Sequence, residues 1–484
     1  MPNIVVVGGG LAGILTAREL ALKGLPVTLL EGAPRLGGKA GADLVGGQWR
    51  EHGYHIFPAW YVNLRALLAE LGILLIDFDR WHYIEPGGLS HPRTMQVPDG
   101  PLAALRVLRT GLLPWQHTLL YWYFVLDMLG EPLSRKALLD QVSRVGMMRG
   151  RWYMTDRIPE LESENVLKAS AIPVYDMSAM TAKIISAFWV RAPLPFLSIL
   201  PGNLQQQLID PLAASLPPSV TVKLEEKVLK VNAAGSRVGS VTAQDGGGST
   251  RNYPTDAVVL TTPLEVTRTL IQADVQRLDP DLGDFEHLQA APMAALHLTL
   301  NRVLPGVPKE HVFLHGGRYG LSFIDLAPHW GLPTTTLSFI SSNFVPLRDL
   351  PPASQYEALF EEISRYLGIG LADVDSHELR PNVETPLFIN TIGAWPNRPE
   401  VRAQRIDNLF FAGDWVRNVV DLACMEGAVA SALEAAKAVG EHLGVGGFAG
   451  AATPKRYPPL ALRLFKWALT PAMVPVWLYA KLRG

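Results

Sequence analysis

The first thirty-odd residues leave this chain little freedom of fold. Ile4-Val5-Val6-Val7 is an unbroken run of apolar, β-branched residues, the pattern of a parallel strand buried on both faces. Gly8-Gly9-Gly10-Leu11-Ala12-Gly13 follows at once, and Gly8, Gly10 and Gly13 satisfy the G-x-G-x-x-G spacing of a dinucleotide site. Gly8 allows the tight turn out of the strand. Gly10 lets the backbone approach a pyrophosphate, and Gly13 lets the following helix lie close against the strand. A helix starting near Leu11 and Ala12 aims its N-terminal N–H groups and its positive dipole end at the phosphates. Leu15, Leu20 and Leu22 extend an apolar face along it, and Gly24 is placed to stop it. Val27-Thr28-Leu29-Leu30 reads as a second strand. Glu31 at its end stands where a carboxylate accepts ribose hydroxyls, roughly 20 residues beyond the glycines. Several dinucleotides, NAD and NADP among them, fit this much equally.

The residues that follow narrow the choice. Arg35-Leu36-Gly37-Gly38-Lys39, just after Gly32, resembles the R-x-G-G-[RK] extension of FAD enzymes in the amine oxidase and carotenoid desaturase superfamily. The paired glycines let backbone lie close to a cofactor, and Arg35 or Lys39 can offset phosphate charge. Gly53-Tyr54-His55-Ile56-Phe57 resembles the segment that runs beside the flavin in plant- and cyanobacterial-type phytoene and ζ-carotene desaturases. Tyr61-x-Asn63-Leu64 and Glu70-Leu71-Gly72-Ile73 are similar to that family too. Near the other end, Asn408-Leu409-Phe410-Phe411-Ala412-Gly413-Asp414 reads as a strand, a glycine turn and an acid. Met425-Glu426-Gly427-Ala428 then opens a helix of small residues, which permit close approach to a flat ring. The resemblance makes Gly413 and Asp414 pyrophosphate and ribityl contacts, and Met425 to Ala428 isoalloxazine contacts. It also places Val228 where the family clasps the adenine end through its backbone.

The resemblance implies an α/β protein: a Rossmann-like FAD-binding domain of the amine-oxidase type, an inserted α+β substrate domain, and a helical, membrane-associated region. The FAD domain is expected to be discontinuous, from 1–80, 200–265 and 385–445. Residues 81–199 read as helical and substrate- or membrane-facing, 266–384 as the substrate-domain sheet, and 446–484 as an apolar tail. FAD is expected to be non-covalent, because no histidine or cysteine in the motifs is placed like a known flavin attachment. Two readings of His55 stand open: a hydrogen-bond donor or proton relay beside the flavin, and a packed, hydrogen-bonded histidine.

Composition sets the outer limits. The chain has 484 residues and a formal charge of −2, long enough for two or more domains and without the basic balance of a nucleic-acid protein. Its single cysteine, Cys424, rules out an intrachain disulfide and fits a reducing, cytoplasmic setting. No basic segment precedes the first strand, so it does not read as a signal peptide. No Cys/His cluster suggests a metal.

The mean hydropathy of +0.15 leans apolar, and three stretches carry the excess. Leu102 to Leu113 is almost uncharged, Trp115 to Leu129 holds an aromatic run, and Trp467 to Ala480 carries two tryptophans and two prolines between flanking cations. The tail is too short and too Pro-broken for a transmembrane helix. It fits a segment lying on a membrane, or one packed on its own domain or on a dimer partner. The expected function is hydride and proton removal from adjacent carbons of an apolar isoprenoid, with a membrane quinone or O2 as final acceptor. A flavin amine oxidase, a hydroxysqualene dehydroxylase, a carotenoid isomerase and a non-catalytic flavin-binding scaffold remain alternatives.

Overall fold

The structure is a computed structural model that describes residues 2–46, 48–96, 111, 113–191 and 195–483. Gly47 and most of Leu102 to Leu113, including Arg106 and Arg109, lie outside the described residues.

The opening strand Ile4–Val7 is buried throughout and forms the centre of a five-stranded parallel sheet. The sheet runs in the order Leu409–Phe411, Ala257–Leu260, Ile4–Val7, Val27–Leu30, Val220–Lys223. The continuous apolar runs that marked strands in the sequence are the inner ones, each covered on both faces. Thr261 seals the strand ends, its hydroxyl donating to Val7 O at 2.9 Å or to Gly8 O at 2.8 Å. Helix Leu11–Leu22 packs beneath this sheet with the closing helix Met425–His442. An antiparallel meander, Lys227–Ala234, Arg237–Gln244 and Thr250–Pro254, hangs from the edge.

The second body is a seven-stranded sheet in the order Val374–Pro381, Ala294–Leu300, Thr336–Ser341, Leu321–Asp325, Val312–Leu314, Arg80–Ile84, Arg93–Gln96. All its pairs are antiparallel except Val312–Leu314 with Arg80–Ile84. One face is filled by Leu296, Phe323 and Phe339 against Leu359 and Ile363 of helix Pro352–Leu367. The period of two turns Ile324 and Ile340 to the opposite face, where they meet Tyr54 and Phe196. The helical region expected over 81–199 therefore starts later than its sequence suggests. Within residues 80–96, the strands Arg80–Ile84 and Arg93–Gln96 extend the sheet.

The remaining helices form a layer to one side: Trp115–Gly130, Arg144–Arg149, Arg157–Ser170 and Ala179–Arg191. The tail differs from its expected Pro-broken form, because Pro459–Arg483 is one helix that runs through Pro471 and Pro475. The two prolines are four residues apart and both are exposed, so they share the solvent side. The inner side lies along Trp115–Gly130. Tyr123 and Thr470 share a hydrogen bond of 2.7 Å. Lys466 pairs with Asp127 at 2.5 Å, and Trp115 stacks on Tyr479. Among the described residues no helix is long and apolar enough to cross a membrane.

Two histidines are held neutral between the bodies. Burial lowers His297 to about 4 and places His311 lower still, at about 3. Both regain an ordinary value of 6.5 on unfolding, so below that pH the unfolded chain binds more protons. Stability should then fall as the pH drops from 6.5 toward 4. Urea titrations across that range should show His311→Gln with a shallower decline than the parent, because glutamine still meets the Tyr54 hydroxyl but does not titrate.

Candidate active site

The glycine loop behaves as its sequence requires. Gly8 adopts φ +106°, and Gly10 caps helix Leu11–Leu22. A Cβ on Gly13 would lie 1.8 Å from Gly8 O, whereas one on Gly10 would meet nothing nearer than 3.9 Å. Gly13 is therefore closed by packing, and the space over Gly10 is open for a ligand to approach the backbone. Gly37 N–H donates to Gly9 O at 2.8 Å, and Gly37 and Gly38 both have positive φ, so the two glycine loops lie edge to edge. Leu11 and Ala12 are buried in the first helical turn.

Glu31 reaches into this loop. Its carboxylate accepts Gly9 N–H at 2.6 Å and Ala33 N–H at 2.7 Å. Gly32 lies against Lys227, which brings Val228 to the same end of the sheet. The loop cations already have protein partners: Arg35 pairs with Asp43 and donates to Gln205 Oε1 at 3.0 Å, and Lys39 donates to Pro386 O at 2.7 Å. Desolvation pushes Asp43 upward, but Arg35 and Arg380 outweigh it and hold the carboxyl below its usual range.

At the other end of the cleft, Gly413 has φ +146° and donates to Ser431 Oγ at 2.8 Å. Asp414 follows it half-buried, an acceptor at the C-terminal edge of a parallel sheet, where α/β proteins bind their ligands. Helix Met425–His442 begins here. A Cβ on Gly427 would sit 2.3 Å from Leu422 O, so Met425, Gly427 and Ala428 enter the helix through a turn with no spare room.

Two of the expected contacts turn their side chains elsewhere. Tyr54 is buried with its hydroxyl 2.5 Å from His311 Nε2 and 2.8 Å from Ser322 Oγ, so it points into the second sheet. Glu426 is fully buried and takes N–H groups from Asn63 at 2.8 Å and Leu64 at 2.8 Å. Burial raises its pKa to about 7 against the pull of those donors. It clamps helix Val62–Glu70 to the flavin-side helix. Any contact Tyr54 and Glu426 make with a cofactor is left to their backbone.

Gly53, at φ +146°, aims the chain so that His55 and Ile56 enter the space between the two bodies. His55 lines a small cavity with Glu51, Phe57, Leu200, Ile324 and Trp330. Its Nδ1 lies 4.0 Å from Glu51 Oε2 and has no hydrogen-bond partner among the described residues. Glu51 spends its other oxygen on Leu204 N–H at 2.6 Å. Apart from these two side chains the lining is apolar.

Three contributors escaped the sequence reading. Gln205 opens a π-helical turn, Gln205–Ile209, and ties Arg35 to Asp210; a run of three glutamines gave no sign of it. Arg398 is buried and donates to Trp415 O at 2.9 Å and Val416 O at 2.8 Å, holding the loop between strand and helix. Asp421 adopts φ +59° and pairs with Lys136 at 2.6 Å. Aspartate tolerates the left-handed region better than most residues, which is the only hint its sequence offers.

A parallel sheet with a glycine-lined cleft, an acid at each end of it, and a second sheet closing over the far side together define a dinucleotide-dependent oxidoreductase fold. Residues 11–440 match flavin containing amine oxidoreductase, and the chain belongs to that family. It is similar to 15-cis-phytoene desaturase of Solanum lycopersicum, 24% identical over 90% of this chain and 77% of the relative. It is also similar to carotenoid phi-ring synthase of Streptomyces griseus, 28% identical over 92% and 89%. Among solved structures, an oxidoreductase from Methanosarcina mazei superposes with a TM-score of 0.67 at 15% identity, covering 89% of this chain and 99% of its own. Putrescine oxidase bound to putrescine does so with 0.64 at 16%, covering 90% and 98%.

The protein is thus an FAD-dependent oxidoreductase, and the open approach to Gly10 and the position of Asp414 fit that cofactor. The sequence motif assigns Glu31 to the ribose and Gly8 to Gly13 to the pyrophosphate, and two variants test those assignments. Glu31→Ala should weaken FAD by roughly 1–3 kcal/mol, the worth of a charged hydrogen bond. Gly10→Val should abolish binding, because the side chain would fill the open space. Flavin absorbance of the purified variants, and FAD released from the parent by acid, check both.

Proposed function

We propose that the enzyme dehydrogenates an apolar isoprenoid or carotenoid-type substrate while resting on a membrane surface. The observation that carries this reading is the chemistry of the gap between the two sheets: Phe57, Leu200, Ile324, Leu326 and Trp330 around one histidine and one carboxylate, His55 and Glu51. A hydrocarbon offers few polar handles, so specificity must come from shape and exclusion of water. The names of the two carotenoid relatives support the same substrate class.

Bound FAD supplies the hydride acceptor. The chain's own part is to orient the substrate on the floor of Ile324 and Ile340, keep the gap dry, and receive a proton. We assign His55 that last role, because its Nδ1 has no hydrogen-bond partner among the described residues and stands 4.0 Å from Glu51 Oε2, and its side chain lines the cavity. A membrane quinone or O2 would serve as the final electron acceptor. Peripheral attachment follows from an apolar substrate that resides in lipid, and the single cysteine fits a cytoplasmic location. The exposed side of helix Pro459–Arg483, which carries Leu460, Leu464, Phe465 and Trp467, provides the contact.

Anaerobic addition of a vesicle-borne isoprenoid polyene should bleach the flavin absorbance, and a cationic amine should not. Bleaching by the amine alone would replace this reading with amine oxidation, and bleaching by neither would leave a binding protein. His55→Ala should keep its FAD content and lower the bleaching rate by about 10²-fold or more, the usual worth of a positioned base.

A further inference from the structure

A second cavity lies where helix Pro459–Arg483 begins. It measures ≈ 250 Å³, and two cations line it. Lys183 is 3% exposed and spends two of its three N–H donors on Met128 O at 3.1 Å and Leu129 O at 2.9 Å, capping helix Trp115–Gly130. Arg456 lies with its guanidinium 4.7 Å over the Phe188 ring, and its buried Nε has no hydrogen-bond partner among the described residues. Among the described residues no carboxylate lines the cavity. Glu131 and Asp421 act on the two cations only through space. Burial and mutual repulsion lower Lys183 to about 8, and burial lowers Arg456 as well.

The rest of the wall is apolar: Leu129, Ile184, Ala187 and Leu462. The helix that starts at Pro459 turns its positive dipole end toward the same place. Arg191, whose guanidinium lies 4.7 Å over Tyr457, and exposed Arg463 stand nearby. From there Leu460, Leu464 and Trp467, each more than half exposed, lead away along the outer side of the helix. Two desolvated cations without a counter-charge are costly to bury. A phosphate would take the free donors of both, and an attached hydrocarbon chain would continue over the apolar rim.

We propose that this cavity binds the phosphate head of an anionic membrane lipid, so that the enzyme docks by a specific headgroup as well as by its apolar helix. The inference rests on the membrane-facing part of the function proposed above and is independent of the redox chemistry. Failure of the polyene to bleach the flavin, with lipid binding intact, would remove the desaturase reading alone.

The test uses flavin-loaded full-length protein and co-sedimentation with vesicles of phosphatidylcholine, with or without phosphatidylglycerol. Phosphatidylglycerol should raise binding by at least about fivefold. Arg456→Gln should erase that gain, and Arg456→Lys should keep part of it. Arg483→Gln, which removes the same charge from the exposed helix end, should leave most of it. Ala187→Met, which narrows the cavity without changing charge, should weaken it as well. Ala187→Met keeps the test decisive if Arg456→Gln proves unstable. Equal losses in Arg456→Gln and Arg483→Gln would reduce the effect to general surface charge and overturn the site. Thermal stabilisation by inorganic phosphate that Arg456→Gln abolishes, without any preference for anionic vesicles, would assign the cavity to a free anion and overturn the lipid source.

Discussion

Everything in this molecule hangs on the contact between Gly13 and Gly8. Helix Leu11–Leu22 approaches the first strand so closely that even a methyl group at Gly13 would stand 1.8 Å from a carbonyl oxygen. That closeness sets the direction of the helix N-terminus, and so the direction of its free N–H groups. It also fixes the height at which the neighbouring strands must end. Ala257–Leu260 and Leu409–Phe411 pair in parallel register beside Ile4–Val7, although they come from widely separated parts of the chain. Thr261 then bonds back to the turn itself. Gly413 leaves its strand at the same edge, and the second acid of the cleft follows it.

Polar contacts join the second sheet to the first body, beside the apolar cluster of Tyr54, Phe196, Ile199, Ile324 and Leu326. Asp43 holds Arg35 of the glycine loop and Arg380 of the edge strand together. His297 donates to Glu51 O at 3.0 Å, and Arg380 donates to Arg50 O at 2.7 Å. These bonds are directional, so they set one separation between the bodies, where apolar packing alone would tolerate sliding. The small cavity left between them is lined mainly by apolar side chains, with Glu51 and His55 as its charged or titratable members.

The first sheet was legible because each of its signals is local. Four buried apolar residues, three spaced glycines and an acid at a fixed distance need no partner elsewhere to be recognised. The substrate-domain sheet was expected within 266–384, and Ala294–Leu300 and Thr336–Ser341 lie there. Residues 80–96 were misread as the start of a helical region because Arg80–Ile84 pairs in parallel with Val312–Leu314, a partner some two hundred residues away that no local pattern reveals. Side-chain direction was equally hidden. Tyr54 and Glu426 sit in motifs that promise a cofactor contact, yet each satisfies its polar group on a distant element. Arg398 and Gln205 act through long-range bonds to backbone and side-chain groups, so composition and spacing carried no trace of them.

The tail shows how far tertiary context overrides local propensity. Two prolines normally break or kink a helix, because each removes an N–H and crowds the preceding turn. Here helix Trp115–Gly130 supplies a long apolar surface that must be covered, with a buried acid, Asp127, that must be paired. Lys466 and Arg151 both reach that acid, and Tyr153 donates to it at 2.7 Å. A cation from the tail is held most tightly when the segment around it is regular, so pairing and apolar cover together offset the two missing N–H groups. Packing uses only one side of the helix, however. Trp467 and Leu482 remain 70% and 85% exposed, and the protein provides nothing among the described residues to cover them. The membrane docking proposed above would cover that side of the helix and supply the counter-charge that Lys183 and Arg456 lack in contact.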